Sequence, residues 1–319
     1  MRVPVRAGTR GLSQGNDMKE KWKKICIYWN RPSHAAYLFL AAPLFLMTVF
    51  VIAPLIGTMV LGFFKMNIFL NDPQFVGLDN FKRFLTDTRA INSLWHTLYY
   101  AVWQVPLQVV IGLVLAAMLS QNTLFNKFSR SVFFVPTVCS LTATSIIWSM
   151  LLDPYIGSVP YLLKTLGMNA PGFLTNPVLA LPTVALITVW KNFGMTLMIL
   201  LGGIHGISQS LYESAEMDGA NAVKRFFYIT LPQIIPSISF CVLTNFIGAM
   251  QVFDQVYIMT GGGPQFKTET AVQYIYTRGF NAPYELGYAS AVSWSLFLLI
   301  AVLTIFMDLF MSRKEKKYS

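Results

Sequence analysis

Apolar residues in this chain come in long unbroken runs rather than in the 3.6-residue rhythm of a soluble amphipathic helix. Six runs can be distinguished, at about 35–64, 94–120, 129–152, 177–203, 231–259 and 284–311. Each is roughly 20 to 30 residues long, the length at which an α-helix crosses the hydrocarbon core of a bilayer. The pattern therefore predicts an all-α integral membrane protein with six transmembrane helices.

Composition agrees with this prediction. Of the 319 residues, 55% are hydrophobic and only 12% are charged, which is about half the charged share of an average soluble domain. The first run is too long to be the apolar core of a signal peptide, so we interpret it as a retained span. Composition therefore excludes an ordinary soluble domain.

Basic residues concentrate at the two ends of the chain, before the first run and after the last: Arg2, Arg6, Arg10, Lys19, Lys21, Lys23, Lys24, Arg31, Arg313, Lys314, Lys316 and Lys317. Positive charge beside a span favours the cytoplasmic side, and an even number of spans places both termini on one side. We therefore expect a cytoplasmic basic segment at 1–34, a transmembrane domain at 35–311 and a cytoplasmic basic tail at 312–319. Because topology explains this charge, no nucleic acid is expected as a partner.

The sequence contains no motif for catalysis or for metal binding. It lacks G-x-x-x-x-G-K-[ST], so it is not expected to bind ATP phosphates itself. Its histidines and cysteines have no metal-ligand spacing: His34, His96, His205, Cys26, Cys139 and Cys241. We therefore expect no catalytic residue, no metal and no cofactor. Gly261–Gly263 with Pro264 predicts a turn at the outer end of the fifth run.

The loop between the fourth and fifth runs holds an acidic stretch, LYESAEMDGA at 211–220. Ser210 and Glu213 have the spacing of a capping box, which predicts the start of a helix there. Gly219 predicts its end, because glycine adopts the positive φ of a helix C-terminus without strain. A second helical piece at 222–229 is expected to lead to Leu231-Pro232 and the fifth span.

The surface of this loop helix suits contact with another protein. It combines large side chains, small ones and acids: Leu211, Tyr212, Met217, Ser214, Ala215, Glu213, Glu216 and Asp218. The alternative is a helix that lies on lipid headgroups. Acidic side chains suit an anionic membrane surface badly, so docking to a protein is favoured.

The same loop resembles the EAA loop of permease subunits of binding-protein-dependent ABC importers. The resemblance rests on Glu213-Ser214-Ala215, where Ser214 replaces an alanine, then Gly219, then Ile229-x-Leu231-Pro232. Three further motifs resemble the carbohydrate branch, the MalF-like and UgpA-like permeases: FVGLDNFKRFL at 75–85, RSVFFVPTV at 130–138 and FDQVYIMTGGGP at 253–264. The resemblance runs from about residue 35 to the C-terminus.

This resemblance implies a type I ABC importer permease fold in its compact six-span form, in the plasma membrane of a bacterium or archaeon. It implies a second homologous permease subunit, two cytoplasmic ABC ATPase subunits, an extracytoplasmic solute-binding protein, a sugar solute and surrounding membrane lipid. The coupling loop would be about 208–232 and its helix 210–219. The residues implied to couple to the ATPase are Leu211, Tyr212, Glu213, Ser214, Ala215, Asp218 and Gly219.

The resemblance also implies that the fourth and fifth spans line the translocation pathway. Amides and hydroxyls bind sugars, and small residues leave room for them. The candidate pathway residues are Asn245, Gly248, Ala249, Gln251, Val252, Gln255, Thr188 and Asn192, of which Asn245, Gly248, Ala249 and Val252 are predicted to share one helical stripe. For each of them, polar contact between helices is an open alternative.

Other classes of membrane protein remain as alternatives. A secondary carrier is expected to use acids at mid-membrane, and Asp254 is the only plausible candidate, near the outer end of its run. A membrane enzyme would need a nucleophile–base pair or a metal set, which the sequence lacks. The solute is open between an oligosaccharide, a monosaccharide, glycerol 3-phosphate and another polyol. A phosphate group would favour basic residues in the pathway, and only Lys191 stands there, so a neutral sugar is favoured.

Overall fold

The computed structural model describes residues 32–69 and 72–318. The basic segment predicted at 1–34 therefore lies almost wholly outside the described residues, as does Cys26. The chain divides into two compact units at Val60/Leu61.

The first unit is one apolar helical run with a widened turn inside it. Helix α1 covers Pro32–Met47, a π-helical turn covers Thr48–Ile52, and α2 covers Ala53–Leu61. The π turn comes just before Pro54, a residue that has no amide hydrogen and whose ring clashes with the carbonyl four residues back. In a π turn each amide bonds the carbonyl five residues back instead of four. This spacing lets the helix continue past the proline without a sharp break.

The second unit begins with a short antiparallel strand pair, in which Phe64 lies opposite Phe75. Its first elements are β1 Phe64–Lys65, β2 Gln74–Phe75, α3 Asp79–Thr86, α4 Thr88–Met118, α5 Leu124–Val138, α6 Leu141–Leu151, α7 Ser158–Thr165 and α8 Ala180–His205. The remaining helices are α9 Gln209–Met217, α10 Ala222–Arg225, α11 Leu231–Gln233, α12 Ile235–Met250, α13 Asp254–Met259, α14 Ala271–Phe280 and α15 Leu286–Tyr318. A second π turn, Phe226–Thr230, joins α10 to α11.

Within the described residues, four of the six predicted spans are single helical runs long and apolar enough to cross a membrane: Phe39–Leu61, Thr88–Met118, Ala180–His205 and Leu286–Arg313. The other two are broken. Helices α5 and α6 meet at 92°, and Ala222–Gln233 meets α12 at 65°. The third and fifth runs are therefore bent helix pairs rather than single helices. The number of spans is six if each bent pair is one span.

Both breaks lie where the local sequence permits one. Pro136 lies in the last turn of α5, Cys139 is extended, and Ser140 caps α6 by accepting from the Ala143 amide. In the fifth run, Ile234 leaves the helical conformation two residues before Pro236. Each proline lacks an amide hydrogen and so cannot bond the carbonyl four residues back, and the serine cap starts a new helix after the first break.

Helix α8 forms the centre of the second unit, with two thirds of its most apolar window (67%) buried. It packs against α4, α5 and α12. Gly112 of α4 meets α8 so closely that a Cβ there would lie 2.8 Å from Thr196 Cγ2. This close contact between backbones is typical of membrane helix pairs, where small residues replace the hydrophobic driving force.

Candidate coupling loop and transmembrane polar cluster

The loop helix α9 starts earlier than the sequence predicted. It begins at Gln209, and its N-cap residue is Ser208, whose hydroxyl lies 2.8 Å from that of Ser210. Glu213 is therefore at the fifth helical position, where its side chain does not reach back to the cap. The predicted capping box of Ser210 and Glu213 was wrong, because the chain turns into the helix directly after α8.

The C-terminus of α9 is formed as predicted. Asp218 is the C-cap, and Gly219 has φ +74°. The Gly219 amide donates to Glu216 O at 3.0 Å and the Ala220 amide to Ala215 O at 2.9 Å. These two bonds form a Schellman motif, which satisfies carbonyls that the helix end leaves free.

The segment after α9 is less regular than the helix predicted at 222–229. Asn221 caps α10 by accepting from the Lys224 amide at 2.9 Å, but α10 ends at Arg225 and the π turn follows. The Leu231 amide bonds Phe226 O, five residues back. Pro232 follows, so this π turn ends two residues before a proline, as the first one does before Pro54.

The side chains of α9 divide into two sets. Most of the predicted coupling residues are exposed to solvent: Leu211, Glu213, Ser214, Asp218 and Gly219, together with Glu216 and Met217. Tyr212 and Ala215 are half-buried, and the Tyr212 hydroxyl lies 2.8 Å from Thr230 Oγ1. Glu216 pairs with Arg225 at 3.0 Å. Of the side chains of α9, only the exposed ones are therefore free to contact another protein.

A buried polar cluster joins three helices inside the predicted membrane region. Gln108 of α4 donates to Asn245 Oδ1 and to Thr196 Oγ1, both at 3.0 Å, and to the Asn192 carbonyl at 3.3 Å. Gln104, one turn before, bonds to Gln108. Sequence reasoning chose Asn245 and missed both glutamines, although an i, i+4 pair of amides in an apolar run is the same kind of signal.

The other predicted pathway residues do not gather at this cluster. The Thr188 hydroxyl bonds its own helix at Val184 O, 2.9 Å away. Helix α12 ends at Met250, so Val252 lies beyond it and the predicted four-residue stripe was wrong at that position. Ala249, Val252 and Gln255 are buried, whereas Gly248 and Gln251 are exposed.

Lys191 is a buried cation in a predicted span, and its contacts explain its presence. Its ammonium donates to Thr137 O at 3.2 Å, and the Thr137 hydroxyl donates to Lys191 O at 3.1 Å. Thr137 lies in the last turn of α5, whose final carbonyls have no helical partner because of the break. A positive charge at the negative end of a helix dipole stabilises that end.

Residues 108–318 match the family described as binding-protein-dependent transport system inner membrane component. The chain belongs to this family. It is 31% identical to the probable ABC transporter permease protein YurN of Bacillus subtilis (strain 168), over 88% of this chain and 97% of that protein.

Two further likenesses extend over most of the chain. The lactose transport system permease protein LacF of Rhizobium radiobacter is 32% identical over 88% of this chain and 94% of its own length. A chain in the crystal structure of a bacterial alginate ABC transporter in complex with alginate pentasaccharide-bound periplasmic protein superposes with a TM-score of 0.80, at 23% identity, over 92% of this chain and 98% of that one. The predicted family and the type I importer permease fold are thereby confirmed. The protein is a multi-pass membrane permease.

The permease has a second polar network where α4, α14 and α15 begin or end. Asp87, the N-cap of α4, accepts from the hydroxyls of Tyr274 at 2.5 Å and Tyr288 at 2.8 Å. It also accepts from the amides of Arg89 and Ala90. Burial raises the pKa of Asp87, but these four hydrogen bonds outweigh it and hold the pKa below its usual value.

Arginine–carboxylate pairs surround this aspartate. Arg83 bonds Glu285 through two nitrogens, at 2.7 and 2.9 Å, and Arg89 bonds Glu269 through two, both at 2.7 Å. Such bidentate pairs join segments that are about 200 residues apart in sequence (202 for Arg83 and Glu285). We call the set Asp87, Arg83, Arg89, Tyr274, Tyr288, Glu269 and Glu285 the Asp87 network.

Proposed function

We propose that this permease is the membrane subunit of an ATP-driven sugar importer, and that α9 couples it to an ABC ATPase. The observation that carries the proposal is the build of α9. Its exposed face joins Leu211 and Met217 to acids, while Asn221 and the Schellman motif at Gly219 fix the backbone after it. An exposed helix with a defined end is suited to receive another subunit and to transmit its movement.

Membership of the family supports the other proposed parts of this machine. A second permease of the same kind pairs with this one, so that each contributes half of the pathway. Two cytoplasmic ATPases hydrolyse ATP, each receiving one loop helix, and an external binding protein delivers the solute. Closure of the ATPases displaces α9 and shifts the pathway between its two accessible states.

A neutral sugar is the proposed solute. Among the relatives, LacF is named for lactose and the MalF protein of Thermococcus litoralis, 29% identical, for trehalose and maltose. The polar cluster at Gln108 and Asn245 offers amides and a hydroxyl, the groups that hydrogen-bond sugar hydroxyls. Lys191 already donates to a carbonyl of this chain, so its contacts do not favour glycerol 3-phosphate.

Both termini are proposed to be cytoplasmic, in the plasma membrane of a bacterium or archaeon. Single cysteines in a background without native cysteines test this with an impermeant thiol reagent added outside whole cells. Lys267→Cys should react, because Lys267 is exposed in the loop before α14. A cysteine at Ser13 should be protected. Labelling at Ser13 in intact cells overturns the topology.

The docking role of α9 is tested by tagging the permease in its native membrane and asking which proteins copurify. Leu211→Asp and Met217→Asp should abolish copurification of an ABC ATPase, because each places a charge on the proposed contact. Leu85→Asp is the matched control: Leu85 is 70% exposed on α3, next to the Asp87 network. Retention of the ATPase by both loop variants contradicts the proposal.

A further inference from the structure

Tyr212 belongs to the loop helix but does not take part in its exposed face. Its hydroxyl lies 2.8 Å from Thr230 Oγ1, and the side chain is half-buried between α9 and the π turn. On the same helix, Met217 is 89% exposed. Both belong to the large side chains predicted from the sequence to form one contact surface, but their surroundings give them different roles.

Thr230 is well placed to receive a movement of α9. It is 6% exposed and is the last residue of the π turn. Its hydroxyl also lies 3.5 Å from Arg225 O, at the start of that turn. The chain continues from Thr230 through α11 to Ile234, which is 1% exposed, and into α12. Thr230 therefore stands at the junction between the loop and the fifth span.

The second side-chain contact between α9 and this segment is weaker. Glu216 and Arg225 are 3.0 Å apart, but the glutamate side chain is 69% exposed. An ion pair in contact with solvent contributes little to a fixed geometry, because water screens the charges and both side chains lose freedom. The hydrogen bond of Tyr212, which is partly shielded from water, holds α9 more firmly.

We infer that Tyr212 is a positioning residue that ties α9 to the fifth span through Thr230, so that α9, the π turn and α12 move as one body. The inference rests on the proposed function, since it concerns how a docked ATPase moves the span. Tyr212 is accordingly separated from the residues that bind the ATPase. The π turn connects α9 to the span, because the Thr230 hydroxyl contacts both the Tyr212 hydroxyl and the carbonyl of Arg225.

The test measures the distance between α9 and α12 in the assembled transporter. Spin labels are placed at Gln209→Cys and Thr244→Cys, both exposed, in a background without native cysteines. Distances are recorded without nucleotide and with Mg²⁺, ATP and vanadate, which require no solute. If Tyr212 holds α9 rigidly to α12, the distances between the two labels should form one narrow distribution that is the same with and without nucleotide.

Two substitutions remove the tie without removing bulk. Tyr212→Phe and Thr230→Val should each broaden the distribution and make it depend on nucleotide, with the untied population rising about 2- to 10-fold, the factor of one net hydrogen bond. The double variant should be no broader than either single one, because both remove the same bond. Thr230→Ser keeps a hydroxyl and should restore the narrow distribution.

The outcomes separate this inference from the proposed function. If the distance distribution between α9 and α12 stays narrow and independent of nucleotide in Tyr212→Phe, the inference that Tyr212 positions α9 is wrong. Loss of the ATPase from Tyr212→Phe also overturns it, because Tyr212 is then a docking residue, while the proposed function stands. If Leu211→Asp and Met217→Asp keep the ATPase but Tyr212→Phe broadens the distance, the docking surface is wrong and the tie between α9 and α12 remains.

Discussion

The segment around Asp87 and helix α9 are held to their neighbours by contacts of different kinds. The Asp87 network joins four separate parts of the chain through tyrosines and bidentate arginine–carboxylate pairs. Helix α9 is held to the segment that follows it by one side-chain hydrogen bond of Tyr212 and one exposed ion pair of Glu216.

The two regions also lie at opposite ends of the helices. The His205 ring at the end of α8 lies 2.9 Å from Ser120 O, just past the end of α4, so these ends meet on the α9 side. Asp87 caps the start of α4. Bidentate arginine–carboxylate pairs hold the Asp87 end, whereas α9 at the other end makes one part-buried side-chain hydrogen bond and one exposed ion pair, so α9 is the part suited to move.

The largest effect is expected at Gly219. Gly219→Val should abolish ATP-dependent transport while the protein still inserts, because valine at φ +74° costs about 1–2 kcal/mol and the helix end lies outside the spans. A Cβ at this position would meet nothing within 4 Å, so the effect is conformational rather than steric. ATPase copurification and ATP hydrolysis in vesicles measure it.

Gly202→Val is the matched control for that substitution. Gly202 is exposed on α8, its φ is negative, and a Cβ there also meets nothing within 4 Å. It should behave like the wild type. Wild-type coupling in Gly219→Val would remove the distinction between the two ends.

Asp87→Asn should destabilise the fold rather than the coupling. The substitution replaces the carboxylate that accepts from Tyr274 and Tyr288 with a neutral amide. This change should lower the unfolding free energy by about 1–3 kcal/mol. The Tm in detergent should fall while the ATPase still copurifies. Asp79→Asn, in an exposed pair with Lys82, is the control and should change Tm little.

The pH dependence of stability should report the same aspartate. Its pKa is lower in the folded protein, so its contribution is fully present above the unfolded value of about 3.9 and is lost as pH falls through the folded pKa. The Tm of the wild type should therefore fall more steeply below about pH 4 than that of Asp87→Asn. Parallel curves contradict the role of Asp87.

Asn245 tests the alternatives left open for the pathway. If Asn245 contacts solute, Asn245→Ala should reduce uptake while assembly and basal ATP hydrolysis persist. If it only packs, Asn245→Ala and Gln108→Ala should lower Tm by similar amounts, because each leaves the other amide short of a partner at about 1–3 kcal/mol. Uptake and Tm of both variants distinguish these results.

The smallest effect on stability is expected for Glu213→Lys. Without a capping box, Glu213 lies beyond the first turn of α9, where the helix dipole contributes less than about 0.3–1 kcal/mol. Any large loss of transport must then come from contact with the ATPase. Copurification in parallel with Tm separates the two contributions, and unchanged copurification places Glu213 outside the contact.

Much of the architecture could be predicted from the sequence because its causes are local. Run length predicted the apolar segments, and Gly219 predicted the end of α9 because only glycine adopts positive φ freely. The turn at Gly261–Gly263 is present, with φ of +59° at Gly261 and +87° at Gly262. Each of these features depends on neighbours a few residues away.

The sequence by itself determined which segments are apolar, where α9 ends and which family the motifs resemble, since these depend on composition and backbone preference. The tertiary structure decided the breaks and the partners of polar groups. The carbonyl of Thr137 is satisfied by Lys191, 54 residues later, and Asn245 by Gln108, 137 residues earlier. An apolar run does not reveal whether it is bent, because the groups that a bend frees are satisfied by helices distant in sequence. Tyr212 faces inward for the same reason: Thr230 reaches it only once the chain has turned back on itself.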